Sequence, residues 1–321
     1  MKKFLFLSVI VIATMVSCNR GQIIDDSTNQ AIENQEFVDF CLKIDSLNEV
    51  YIGMGDPTRS FLPGYLAESA ADAVGSFVGG KIFSWAGATV GFAIANPVVA
   101  IGGYCAGREF GSSAGAAAAS FGASWIINHY GTRSANEPFP TLDENYEVPV
   151  NDPNNLSDGE LHNLILSRLL MNTNKYVMPD GTLNYNLLLE DAYMYENIYS
   201  PFEDYSTCKL VCMSKTTEQV KRIVNSSILL KNEGTEVFLD DVYYNLIPEI
   251  QMSKEEFDNA NVLNEKALST YTMLDNDEAL DFAESINEAI ESSELDEPLK
   301  EDLKNSNSVL MNSTMMWKEV R

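Results

Sequence analysis

Cysteine and histidine are the residue types through which this chain could bind a metal or use a thiol, and it has five cysteines and two histidines. Cys208 and Cys212 stand at positions i and i+4, so a helix would place both thiols on one face, where a disulfide could form after export. Buried free thiols are the alternative interpretation of these residues. His129 and His162 do not stand at metal-ligand spacing. We therefore predict no metal site.

We assign no enzyme active-site motif to the sequence. There is no complete phosphate-binding loop, no His-Glu-x-x-His zinc motif and no cysteine–histidine arrangement. The turns at Asp180-Gly181 and at Asp275-Asn-Asp277 are rich in aspartate, but neither has the spacing of a calcium loop. They are interpreted as ordinary turns. We expect a protein that is not an enzyme, with no catalytic residue and no cofactor.

The N-terminus has the pattern of an export signal. Lys2 and Lys3 precede an apolar stretch at residues 4–13 that only Ser8 interrupts, and Met15-Val16-Ser17-Cys18 follows. A basic start, a short apolar run and small residues before the cleavage point are typical of a signal peptide. The run is shorter than the ~20 residues that a membrane-spanning helix needs. We predict that residues 1–17 are removed.

Met15-Val16-Ser17-Cys18 resembles the lipobox of bacterial lipoproteins. The resemblance implies that Cys18 becomes the first residue of the mature chain and carries acyl chains. More than one acyl chain gives stable anchoring to a bilayer. In some bacteria an aspartate after this cysteine holds lipoproteins at the inner membrane, whereas this chain has Asn19. The resemblance therefore implies attachment to the outer membrane. It does not distinguish the periplasmic face from the outer face.

The charge balance excludes one large class of partner. The formal net charge is −26, and most of the acidic residues lie beyond Pro138. Binding to nucleic-acid phosphates needs a basic surface, so a nucleic-acid partner is not expected. An acidic exterior is typical of a solvated domain. The bilayer, a second copy of the chain, and a protein or glycan ligand remain as candidate partners.

Glycine or alanine recurs at every fourth position from Ala71 to Ala123, except at Phe83 and Val99. A period of four draws one stripe along a helix, which leaves a ridge with almost no side chain and allows two backbones to approach closely. Asn96-Pro97 interrupts the pattern and suits a turn. The segment therefore predicts a helical hairpin whose packing face is formed by Gly75, Gly79, Gly87, Gly91, Gly103, Gly107, Gly111 and Gly115.

This segment resembles the glycine-zipper stretches of membrane-active bacteriocin peptides and of some bacterial envelope proteins. The resemblance implies a hairpin that self-associates or inserts conditionally into a bilayer. Small residues at this spacing serve the same purpose between membrane helices. The run from Ile82 to Gly107 carries no charge, but Lys81, Arg108 and Glu109 lie close to it, and charges are costly inside a bilayer. The alternative is a hairpin buried as core beneath the rest of a soluble protein.

The rest of the chain predicts an all-α fold. Phe37, Phe40, Cys41, Ile44 and Leu47 recur at helical spacing, and Ser157-Asp-Gly-Glu160 and Ser253-Lys-Glu-Glu256 are capping boxes that open helices. We expect the second of these helices to run to about Met273. The predicted order is a tether with a short helix (18–60), the hairpin (61–131), a proline-rich linker (132–156) and an acidic helical domain (157–321).

These expectations lead to three functional hypotheses. The first is a non-enzymatic cell-envelope lipoprotein whose glycine-zipper hairpin associates with itself or with the membrane. The second is a soluble ligand-binding or protein-binding lipoprotein that uses the hairpin as core. The third is a membrane-permeabilising antagonist of other bacteria, similar to a bacteriocin. Solubility after removal of the acyl anchor separates the first two hypotheses, and vesicle leakage identifies the third.

Overall fold

The computed structural model describes residues 26–54, 69–71, 73–75, 112–130, 139, 142, 146–201, 205–246 and 253–320. Within these residues the fold is all-α, as predicted, and the only β pairing is an isolated bridge between Val177 and Leu183. The helices are α1 (Asp26–Met54), α2 (Ser112–Tyr130), α3 (Asp158–Met171), α4 (Thr173–Tyr176), α5 (Tyr185–Tyr199), α6 (Tyr205–Glu233), α7 (Thr235–Leu246), α8 (Lys254–Lys266), α9 (Leu268–Met273), α10 (Asn276–Glu291) and α11 (Glu297–Val320).

Both predicted capping boxes are confirmed. Ser157 and Ser253 cap α3 and α8, and in each case the glutamate three residues later accepts a hydrogen bond from the cap residue's own backbone N–H. Asp275, which the sequence assigned to a turn, caps α10 in the same way. Each box satisfies backbone donors that the first turn of a helix cannot satisfy internally. The starts of these helices are therefore fixed by local sequence.

The helix that begins after Ser253 differs from its prediction. It ends at Lys266, and a separate short helix, α9, follows from Leu268 to Met273. Lys318 on α11 donates hydrogen bonds to the carbonyl oxygens of Tyr271 and Leu274, at 2.7 and 2.6 Å. A cation at the C-terminal end of a helix satisfies carbonyl groups that have no partner within it. This distant contact holds the end of α9, and the local sequence does not reveal it.

Helix α11 is the centre of the bundle and packs against α3, α8, α9 and α10. Its buried Asn307 accepts a hydrogen bond from the hydroxyl of Tyr271 at 2.5 Å and donates to the carbonyl oxygen of Ala283 at 2.9 Å. On the side of α11 that faces α3, a Cβ added at Gly159 would overlap the backbone oxygen of Ser308. Glycine therefore allows α3 to approach α11 closely. These contacts join the helices on either side of α11 into one core.

The predicted linker contributes to this core. Its described residues are 139, 142 and 146–156, none of which is helical. The ring of Phe139 packs against Phe121 and Trp125 of α2, with centroids 5.3 and 5.2 Å apart. The segment is thus attached to α2 at this point.

Candidate functional site: the base of the glycine-rich segment and the docked N-terminal helix

The glycine-rich segment is described at its two ends, residues 69–71 and 73–75 at the start and α2 at the finish. At Gly75 the two ends meet. A Cβ added there would lie 2.8 Å from both the backbone oxygen of Gly115 and the Cβ of Ala119. Such distances are too short for real carbon contacts, so only glycine fits at this position. The two described ends of the segment therefore approach each other closely at Gly75.

Both ends also contact α11. Ser69 lies 3.3 Å from the hydroxyls of Ser313 and Thr314 on α11. One turn further along α11, the indole N–H of Trp317 donates to Ser120 on α2 at 3.1 Å. Ser69 and Ser120 thus lie near one stretch of α11, while Gly75 lies beside Gly115.

Helix α2 is enclosed by other helices. Every residue from 112 to 125 is buried, and the helix packs against α3, α5 and α6. A Cβ added at Gly122 would lie 2.5 Å from a methyl group of Val224 on α6. The side chains of alanine, glycine and serine are small, so three neighbouring helices can pack close to the backbone of α2. The small residues of α2 therefore serve close packing within the described part of the chain.

A buried carboxylate holds the start of α2. Glu196 on α5 is fully buried, and its Oε1 accepts a hydrogen bond from the backbone N–H of Ala114 at 3.2 Å. The first amides of a helix lack internal acceptors, and negative charge is favourable at this end of the helix. Sequence analysis missed Glu196. Its position in the tyrosine-rich second half of α5 was the available signal.

Ser113 is a second residue that sequence analysis missed. Gly111-Ser-Ser-Ala-Gly115 has the Gly-x-Ser-x-Gly spacing of a nucleophile elbow. In such elbows the serine is exposed on a sharp turn between a strand and a helix. Here Ser113 is fully buried within α2, and its Oγ donates to the carbonyl oxygen of Asp158 at 3.1 Å. The hydroxyl therefore joins α2 to the start of α3 and is not presented to a substrate.

The other residues that the sequence singled out are described only in part. Cys18, together with Gly79, Gly87, Gly91, Gly103, Gly107 and Gly111, lies outside the described residues. Cys208 and Cys212 belong to α6, but their side chains are not described, so the predicted disulfide stays a prediction. None of the described helices combines the length and the hydropathy needed to cross a membrane.

Helix α1 carries the predicted amphipathic pattern and docks onto α8, α9 and α10. Phe40 and Ile44 are buried, and Phe37, Cys41 and Leu47 pack around them, as the spacing predicted. Burial raises the pKa of the Cys41 thiol above its ordinary value, so at neutral pH this thiol is protonated and a weak nucleophile.

Polar contacts surround the apolar face of α1. Lys266 at the end of α8 donates to both carboxylate oxygens of Asp45, at 2.7 and 2.8 Å. Asn48 donates to the carbonyl oxygen of Lys266 and accepts from Thr270, at 2.7 and 2.8 Å. The Tyr51 hydroxyl lies 3.0 Å from that of Ser285 on α10. Directional contacts to three different helices fix the orientation of α1 on the bundle.

The described titratable residues include one cluster with the composition of an active site. Asp191 is buried and accepts hydrogen bonds from the hydroxyl of Tyr176 at 2.8 Å and from Lys175 at 2.5 Å. Burial and the hydrogen bond to Asp191 raise the pKa of Tyr176 far above its usual range. The phenol therefore stays protonated, which suits a structural donor better than a general base. The cluster links α4 to α5.

No group of three or more histidine, cysteine or carboxylate side chains within the described ranges could hold a metal ion. His162 is buried in α3, with its Nδ1 2.9 Å from the Oδ1 of Asn163. Comparison with known protein families, with curated proteins and with solved structures finds no match.

Proposed function

We propose that this protein is a non-enzymatic lipoprotein of the cell envelope in which the base of the glycine-rich segment forms part of the core of a helical binding domain. The observation that carries the proposal is the burial of α2 between α3, α5 and α6. A helix enclosed on these sides uses its small residues for packing within its own chain. This supports the hypothesis of a hairpin used as core.

The contact at Gly75 supports the same choice. A ridge that served self-association would have to be free to meet a second copy. Gly75 instead meets Gly115 and Ala119 of the same chain. Close backbone approach is favourable only where both surfaces are small and complementary. The surface around Gly75 is therefore already occupied by a contact within the chain.

The anchor in this proposal is the acylated Cys18, and the location is the outer membrane, as the lipobox resemblance and Asn19 imply. The partner is a ligand or protein with a neutral or basic surface. The net charge of −26 makes approach of another strongly acidic surface unfavourable. No nucleic acid is proposed as a partner.

Alkaline carbonate extraction of cells that express a Cys18→Ala variant tests the proposal. We expect the wild-type protein to stay with the membrane pellet and the variant to enter the soluble fraction, because lipid alone holds the domain. A Cys41→Ala variant is the control: it also loses one thiol but should remain in the pellet. Retention of Cys18→Ala in the pellet would contradict the proposal and favour a membrane-inserted hairpin.

Vesicle leakage separates the proposal from the bacteriocin-like alternative. The purified Cys18→Ala protein is added to phosphatidylcholine vesicles that contain a self-quenched dye. A hairpin that is packed as core is not free to enter the bilayer, so we expect no release of dye. Release at low protein-to-lipid ratio would support the membrane-permeabilising function instead.

A further inference from the structure

Arg168, in the last turn of α3, is an exposed cation that uncharged groups hold in place. Its Nε donates to the hydroxyl of Tyr199 on α5 at 2.9 Å, and its Nη1 lies 3.9 Å from the sulfur of Met171. In the part of the chain that the structure describes, no carboxylate pairs with Arg168. Because Tyr199 uses only the Nε hydrogen, the N–H groups of Nη1 and Nη2 are left to bind a ligand.

Two tyrosines of α5 lie beside this guanidinium. Tyr195 and Tyr199 stand four residues apart on one face of the helix, and both are half-buried. Burial raises the pKa of Tyr195, the charge of Asp191 raises it further, and the charges of Lys175 and Arg168 act in the opposite direction. Tyr195 therefore lies close to both cations and keeps its proton at neutral pH. Its hydroxyl and that of Tyr199 can each donate a hydrogen bond.

The carboxylates in this neighbourhood are bound by cations. Asp191 accepts a hydrogen bond from Lys175 at 2.5 Å, and Glu190 accepts one from Lys209 at 2.9 Å. Counted over these described residues, the two ion pairs are neutral and Arg168 adds one positive charge. The local charge is therefore positive, although the net charge of the chain is −26.

We infer that Arg168, Tyr195 and Tyr199, which we call the arginine–tyrosine cluster, bind the carboxylate of a small ligand. The guanidinium presents its N–H groups in a planar fork that matches the two oxygens of a carboxylate. The two phenol hydroxyls are further donors for the same group. The inference names a ligand class for the binding domain proposed above and rests on that proposal for its role in the cell. The binding itself depends neither on acylation nor on location.

The surroundings of the cluster define the rest of the ligand. Apart from its carboxylate the ligand is uncharged, because the acidic surface of the chain repels further negative charge. Ile198, which follows Tyr195 by one turn of α5, is 60% exposed and offers an apolar contact next to the tyrosine rings. Rings of this kind combine an apolar face with a polar end. The cluster therefore suits a carboxylate attached to an apolar ring.

Fluorine NMR with para-fluorobenzoate tests the cluster. This probe has one carboxylate on an apolar ring, and para-fluorobenzamide has nearly the same shape without the charge. Each probe is titrated with the purified Cys18→Ala protein, and line broadening gives the dissociation constant. We expect a dissociation constant on the order of 1 mM for the benzoate, since one charged group on an open surface supplies limited binding energy. The benzamide should bind about tenfold more weakly or less.

Substitutions of two arginines assign the binding to the cluster. Arg168→Gln removes the guanidinium and should weaken benzoate binding about tenfold or more. Arg168→Lys keeps the charge without the planar fork, so its affinity should lie between those of the parent protein and Arg168→Gln. Arg222→Gln is the matched control, because Arg222 on α6 donates to the carbonyl oxygen of Asn245 and lies outside the cluster. It should leave benzoate binding unchanged.

Circular dichroism verifies that each variant keeps its helix content. Absence of line broadening by the parent protein, equal binding of benzoate and benzamide, or an unchanged affinity in Arg168→Gln would overturn the inference. Carbonate extraction of the Cys18→Ala variant tests the proposed function separately, so either proposal can fail while the other stands.

Discussion

Substitution of Gly75 by alanine tests whether the glycine-rich segment belongs to the core. The added methyl group would lie 2.8 Å from the Gly115 oxygen and from the Ala119 Cβ, and one of these helices must move. Overpacking of this kind costs about 1–3 kcal/mol. Alanine is also the better helix former by about 0.8–1 kcal/mol. The net loss in unfolding free energy caused by Gly75→Ala is therefore smaller than the loss that overpacking alone would cause.

Gly53→Ala is the matched control. Gly53 lies in α1, and a Cβ added there meets nothing within 4 Å. This substitution gains the same helix propensity without overpacking. The difference in unfolding free energy between the two variants should thus be about 1–3 kcal/mol, with Gly75→Ala the less stable.

Urea unfolding of the Cys18→Ala protein, followed by circular dichroism at 222 nm, measures this difference. The two glycine variants are introduced into that background and compared at equal protein concentration. Thermal melting gives an independent value, since 1 kcal/mol shifts the midpoint by about 2–4 °C in chains of 150–250 residues. Equal stability of Gly75→Ala and Gly53→Ala would refute the reasoning, because it would mean that the base of the segment is not packed tightly.

Three other perturbations follow from the described contacts. Phe40→Ala should destabilise the protein by about 3–5 kcal/mol, since this ring of α1 is buried against the bundle. Proteases should then cleave α1 first. Glu196→Ala should cost about 1–3 kcal/mol in urea unfolding by leaving the Ala114 N–H without its acceptor, whereas Glu196→Gln keeps an acceptor and should cost less. Burial, and then the charge of Glu319, raise the pKa of Tyr146 to about 12, so its contribution to stability is complete below pH 10 and is lost as the pH rises towards 12. Absorbance at 295 nm should show that Tyr146→Phe removes a group titrating near pH 12 in the folded protein, and an unchanged titration would contradict this assignment.

Local sequence was sufficient where a structural rule acts over a few residues. Ser157 and Ser253 mark helix starts because the groups that satisfy the first backbone amides lie within the next turn. The spacing of Phe40 and Ile44 identified the buried side of α1 for a similar reason. Periodicity reports which side of a helix is apolar, so the all-α fold could be predicted from the chain alone.

Local sequence was insufficient where the partner is distant. The small-residue period around Gly75 and Gly115 fits a membrane hairpin and a buried one equally well, because both need only close backbone approach. The choice depends on α3, α5 and α6, which surround α2. The same holds for Glu196 and Ala114, which are far apart in sequence and meet only when α5 packs on α2. The pairing of Asp45 with Lys266 could not be predicted either, since each residue has many oppositely charged candidates.

The central position of α11 has a consequence for the order of folding. Helices α3, α8, α9 and α10 all pack on it, and Trp317 reaches α2. Because α11 comes late in the sequence, a growing or translocating chain presents these apolar faces before the helix that covers them is available. The bundle can close only once α11 has emerged. If the chain is exported as proposed, it crosses the membrane before a stable core can form, and folding is completed on the far side.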